Sequence, residues 1–188
     1  TVAGNLKFET DLPPGLHLQG QALRQGWGEQ RPVFLAASTR EGEEEPLLEA
    51  FRGILKRFPS ALLVLVPRHP ARAPRAVQLA RSNGLSVDVY SAGLNTGLGC
   101  AAALECLVVD VTGELLRFYA ACDVAFVGGS LASAGGHNML EPAALSVPVL
   151  LGPHTFNFAD ISRELLAAGG AKLVLDAASK KHVKTIEW

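Results

Sequence analysis

Apolar, β-branched runs recur along the chain at 33–37, 62–66, 87–90, 107–109, 124–127, 149–151 and 173–175, and each reads as a short buried parallel strand. Between them the apolar positions change to helical spacing, at 44–58, 75–83, 115–121, 140–145 and 160–168, and Pro, Asn-Gly or Gly-Gly closes these segments. The alternation predicts an α/β fold built on a doubly wound parallel sheet, in which ligands bind at the carboxyl ends of the strands. Residues 9–31, with Pro13, Pro14 and a short helical pattern at 21–25, read as a connector wrapping the domain. The expected division is a linker and connector at 1–31, a domain at 32–176 and an atypical tail at 177–188.

The 188 residues, 48% of them apolar, suffice for one well-buried domain and are short for two. With 17 basic and 18 acidic residues the chain carries no bulk charge for nucleic acid or an anionic membrane surface. Cys100, Cys106 and Cys122 are odd in number and lack C-x-x-C spacing, so neither a disulfide framework nor a zinc site is indicated and a cytosolic setting fits. The five His residues are dispersed, without H-x-x-H or paired carboxylates of ligand spacing, and no metal is expected. No apolar stretch approaches the roughly 20 residues of a membrane span, so the expectation is a soluble, cytoplasmic chain.

The richest run is Phe126-Val-Gly-Gly-Ser-Leu-Ala-Ser-Ala-Gly-Gly-His-Asn-Met-Leu-Glu-Pro-Ala-Ala144. It joins a buried strand, a glycine turn that lets backbone approach a ligand, and a helix starting at Asn138 with Glu141 in its first turn. Free amides and a positive helix end suit a phosphate, and a carboxylate beside them can grip sugar hydroxyls; the same features also fit a plain capped helix. In Ser38-Thr39-Arg40 the hydroxyls and a helix start can receive a phosphate or carboxylate, although Glu43, Glu44 and Glu45 either cap that helix or repel an anion. Pro67 ends a strand and aims Arg68 at the cleft mouth, where a guanidinium can hold phosphate bidentately or stack on a pyrimidine. His69 fits a local hydrogen bond equally well. Residues 92–103, rich in Gly and Ala, read as a long mobile loop.

Five ordered motifs resemble the bacterial Kdo transferases, which attach 3-deoxy-D-manno-octulosonic acid (Kdo) from CMP-Kdo to lipid A precursor. They are Gly4-Asn-Leu-Lys-Phe8, Ala36-Ala-Ser-Thr-Arg-Glu-Gly-Glu-Glu-Glu45, Val66-Pro-Arg-His-Pro70, the run 126–144 and Gly152-Pro-His-Thr-Phe-Asn-Phe158. The resemblance covers most of residues 4–175. It implies a Rossmann-like fold, the C-terminal, donor-binding half of an inverting GT-B glycosyltransferase in lipopolysaccharide biosynthesis. The family's N-terminal half, with its membrane anchor, acceptor site and catalytic carboxylate, has no counterpart here, so no catalytic base is assigned and the isolated chain is expected to transfer nothing. Residues 177–188 do not resemble the family's closing helices, and Asp110-Val-Thr-Gly-Glu-Leu115 lacks the usual Met before Gly113.

Carried onto this chain, the resemblance implies that Pro67 and Arg68, with the helix starts at Thr112, Gly113, Glu114 and at Asn138, Met139, Leu140, hold CMP. It gives Glu141 to the ribose hydroxyls, and Ser38, Thr39, Arg40 and Asn157 to the Kdo. It implies no cofactor or metal, lipid A precursor as acceptor through the other half, and a place on the cytoplasmic face of the inner membrane for the full-length enzyme. Two alternatives stay open: another GT-B transferase using a UDP-sugar, and a non-catalytic interaction domain.

Overall fold

The computed structural model describes residues 12–93 and 103–174. The strands are β1 Val33–Thr39, β2 Leu62–Pro67, β3 Val87–Val89, β4 Cys106–Val108, β5 Val124–Val127, β6 Val149–Leu151 and β7 Ala171–Leu173. They form one parallel sheet in the order β3-β4-β2-β1-β5-β6-β7.

The two-residue period of the strands sorts their side chains onto two faces. Val33, Leu35, Ala37, Leu62, Val64 and Val66 point to one, where α1 (Leu16–Trp27) and α5 (Leu115–Tyr119) supply Leu23, Trp27, Phe118 and Tyr119. Phe34, Ala36, Leu63, Leu65 and Val108 point to the other, covered by Leu48 and Phe51 of α2 (Glu44–Arg57) and the alanines of α3 (Ala73–Ser82). Each fully buried large side chain is worth about 1.5–3 kcal/mol, so both central strands are held from both sides. A smaller third cluster joins Val127, Met139, Val149, Leu151 and Ile161, the last from α7 (Ala159–Ala167).

Local boundaries depart from the sequence reading for identifiable reasons. The third strand stops at Val89, because Tyr90 opens a short helix, α4 (Tyr90–Gly93), that tucks its ring edge-on against Phe118 at 5.1 Å. The last strand begins at Ala171 and ends at Leu173, two residues before the expected end; Ala171 takes the buried position opposite Val149, and Leu173 is exposed. The pattern at 21–25 belongs to the longer α1, whose buried face is Leu16, Gly20, Leu23 and Trp27. The helix expected from Asn138 is α6, Leu140–Ala144, with Asn138 just ahead of it. The motif at 4–8, the tail at 177–188 and most of the loop at 92–103 lie outside the described residues.

Candidate functional site

Because β1 lies between β2 and β5, the loops leaving its carboxyl end and that of β5 open a crevice at the point where the strand order reverses. The β1–β2 register shifts between Ala37 and Thr39, and Ser38 takes a left-handed φ of 54°. Gly128 follows β5 and packs directly on this kink: its N–H donates to the Ala37 carbonyl at 2.8 Å, and a Cβ there would stand 2.3 Å from the Ser38 carbonyl oxygen. Only glycine fits that approach. The Arg68 N–H donates to the Thr39 carbonyl at 2.9 Å, so the loops after β1, β2 and β5 meet at one spot.

The glycine turn does not leave its amides free. Glu43, fully buried just before α2, turns its carboxylate into the turn: Oε2 accepts from Gly129 N and Arg40 N, each at 2.8 Å, and Oε1 accepts from Leu131 N at 2.9 Å and Ala132 N at 3.0 Å. An internal anion therefore occupies the nest of amides in the glycine turn, which the sequence suggested as a place where backbone could approach a ligand. Glu44 is buried too, accepting from the Thr39 hydroxyl at 3.1 Å and pairing with Arg72 at 3.1 Å. The Thr39 hydroxyl is thus already engaged, and Thr39 borders the crevice without a free hydroxyl. Glu45 alone of the three faces outward.

Beside the turn lies a cleft of about 350 Å³ lined by Arg40, Arg68, His69 and Arg72 on one side and residues 132–134 on the other. Arg68 is exposed and makes no side-chain hydrogen bond or ion pair among the described residues, although Arg72 is held by Glu44 and Glu41. Arg40 Nε donates to His137 Nε2 at 3.2 Å, which requires that nitrogen to be unprotonated. Burial first, then the guanidiniums of Arg40 and Arg68, lower the His137 pKa below its ordinary value, with Glu43 opposing. Two arginines with few internal partners thus flank a neutral imidazole, an arrangement suited to anionic groups of a ligand.

His137 links this cleft to the second group of predicted residues. Asn138 Oδ1 accepts from Leu140 N at 3.0 Å and its Nδ2 donates to Glu141 Oε1 at 3.2 Å, so Asn138 orients Glu141 from one residue ahead of Met139, which takes the N-cap position expected for Asn138. Burial raises the Glu141 pKa, with the Asn138 hydrogen bond working against it. Met139 is fully buried in the third core cluster, so its side chain anchors the segment and leaves only its backbone for a ligand. Helices α5 and α6 pack together, which brings the exposed turn Thr112–Gly113 and Glu114, paired with Arg117 at 2.6 Å, to the same flank. Pro67 is buried at the end of β2. Asn157 lies at the opposite lip, where Nδ2 donates to the Ala134 carbonyl and braces the glycine turn from outside.

Arg72 and the role of Glu43 escaped the sequence reading. Of the four N–H groups bonded to Glu43, only that of Arg40, three residues earlier, is local in sequence. Among the described residues no group of three or more His, Cys, Asp or Glu is placed to hold a metal ion, and no helix is long and apolar enough to cross a membrane.

The chain has close counterparts among known proteins. The chain is 42% identical over 181 residues to a 3-deoxy-D-manno-octulosonic acid transferase of Bordetella pertussis, covering 94% of this chain and 41% of that protein. A transferase of the same name from Haemophilus influenzae is 38% identical over 169 residues, 90% of this chain and 39% of that protein. The crystal structure of the C-terminal CMP-Kdo binding domain of WaaA from Acinetobacter baumannii superposes with a TM-score of 0.80 at 34% identity, covering 88% of this chain and 85% of that domain. The chain belongs to the Kdo transferase family. It spans about two fifths of the length of the curated family members it matches, and it corresponds to the C-terminal domain. No protein-family model matches it. The family's Rossmann-like sheet is shared, as fold alone, with a Candida albicans trehalose-6-phosphate phosphatase N-terminal domain at 15% identity and a TM-score of 0.54.

Proposed function

We propose that this chain holds the CMP-Kdo donor for transfer of Kdo onto lipid A precursor. The observation that carries the reading is the arginine-lined cleft at the strand-order reversal, in a chain that matches a CMP-Kdo binding domain over most of both lengths. Arg68 takes the phosphate and Arg40 the Kdo carboxylate, two cations for the two anionic groups of the donor. Glu141, oriented by Asn138, accepts from the ribose hydroxyls, and the backbone at 112–114 and 138–140 frames the cytidine. Ser38 and Asn157 border the sugar.

In the reaction the acceptor hydroxyl attacks the anomeric carbon of Kdo as the bond to the phosphate oxygen breaks. The hydroxyl proton passes to a base that we do not place within residues 1–188, and CMP leaves with the bonding pair. Arg68 stabilises the charge that develops on the departing phosphate, and no metal ion is given a role. The acceptor, the base and attachment to the inner membrane belong to the rest of the transferase.

Thermal unfolding with CMP, UMP and UDP tests the reading, because a ligand bound to the folded state raises its melting temperature. CMP should raise it more than UMP and UDP do. Equal shifts by CMP and UMP would remove cytidine recognition from this domain, a larger shift with UDP would favour a UDP-sugar transferase, and no shift with any nucleotide would favour an interaction domain.

A further inference from the structure

Glu43 is a fully buried carboxylate with no ion-pair partner among the described residues. Such a charge is costly unless hydrogen bonds replace its water, and here four amides do so, with Gly129, Leu131 and Ala132 lying 86 to 89 residues from it in sequence. The connections close into a ring. Glu43 fixes the backbone of Arg40 and Gly129; the Arg40 side chain holds His137; and the His137 ring lies against Gly129, within 3.2 Å of where a Cβ would stand.

We propose that Glu43 is a positioning residue for the donor site, an internal anion that locks the loop after β5 to the loop after β1 and thereby sets where Arg40 stands. By filling the amides of the glycine turn it also reserves the ligand's anionic groups for Arg40 and Arg68. The proposal rests on the donor-holding reading above. The bonds join two loops that border the cleft, and because the Leu131 side chain also packs against the second core cluster, a positioning role is told from a role in folding by affinity measured on folded variants.

Glu43→Gln isolates the effect, since it keeps the shape but replaces one acceptor oxygen by a donor. Whichever way the amide is flipped, its NH₂ faces two N–H groups, either those of Gly129 and Arg40 or those of Leu131 and Ala132. One side of the turn must open. In calorimetric titrations well below the melting temperature, with folding checked by circular dichroism, Glu43→Gln should bind CMP weaker by on the order of tenfold or more. In Glu43→Ala, formate should refill the nest and recover most of the lost affinity, whereas chloride at equal ionic strength should not. Should Glu43→Ala fail to fold, the affinity and the amide hydrogen exchange of Glu43→Gln decide the proposal without the formate arm.

A folded Glu43→Gln with wild-type CMP affinity would overturn the proposal, as would formate that raises the melting temperature without restoring affinity. Absence of CMP binding by the wild type would instead count against the donor-holding reading. The loop-locking claim is then decided by hydrogen exchange at Gly129, Leu131 and Ala132: faster exchange in Glu43→Gln supports it, and unchanged exchange overturns it.

Discussion

The glycine turn after β5 and the arginine cleft beside it share one edge of the sheet, yet they meet negative charge in opposite ways. The turn has the sequence of an anion cradle, but Glu43 already fills it with a carboxylate from the same chain. The cleft has no glycine signature, but among the described residues it presents Arg68 with its side chain unpaired and Arg40 with its side chain bound only to a neutral imidazole. The difference teaches that amides left over by a tight turn are not a binding site until their internal partners are accounted for. Here the glycines serve close packing between loops, and side-chain charge is left for the ligand.

The largest expected effect comes from breaking the packing. Gly128→Ala would put a methyl against the Ser38 carbonyl and the Thr39 Cα, backbone atoms that cannot swing aside. A loss of about 1–3 kcal/mol or more in folding stability is expected, measured by urea unfolding. Arg68→Ala should do the reverse: stability within about 0.5 kcal/mol of wild type, as for an exposed side chain, and CMP binding weaker by about 1.5–3 kcal/mol. If Gly128→Ala left stability unchanged, or if Arg68→Ala cost stability and spared binding, the division between the two regions would be wrong.

What the sequence made legible follows the same division. Continuous apolar runs announced the strands, since burial on both faces of a parallel sheet leaves little room for polar residues. Arg68 was visible because a charge directly after a buried strand requires a reason. Glu43 was not, because its amide partners lie 86 to 89 residues away and only the fold brings them together. The engagement of the Thr39 hydroxyl by Glu44 was hidden likewise, since the sequence alone does not say which way a first-turn carboxylate turns. The pairing of Asn138 with Glu141 was readable locally, as two residues within one turn at a helix start, although the N-cap itself is Met139.

Glu141 sharpens the comparison from the other flank, because burial disfavours its charge and Asn138 is its sole hydrogen-bond donor among the described residues. Its folded pKa is raised, so the stabilising contribution of the protonated form is fully present below the ordinary value of 4.5 and is lost as pH rises through the folded pKa. Glu141→Gln should therefore melt higher than wild type near neutral pH, with the gap closing in acid. Glu141→Ala should weaken CMP binding by about 1–3 kcal/mol with little effect on folding. A variant that binds CMP normally and unfolds easily would make Glu141 a helix-start residue only.

The smallest effect, and the most direct test of what the cleft holds, is the titration of His137. Its folded pKa lies below the ordinary 6.5 because the ring is partly buried and faces Arg40 and Arg68. The neutral ring therefore supports the fold above pH 6.5, and that support is lost as pH falls through the folded value, where protonation also removes the acceptor for Arg40 Nε. A phosphate seated between the guanidiniums would offset their charge and move the His137 pKa back up. Proton resonances of the His137 ring, followed against pH with and without CMP, should show a midpoint below 6.5 that rises on binding, with Arg68→Ala reducing the rise. A midpoint that CMP leaves in place would mean that the nucleotide's charge lies away from Arg40 and Arg68, and the arginine cleft would then lose its claim to the phosphate while the glycine turn, closed by Glu43, could not inherit it.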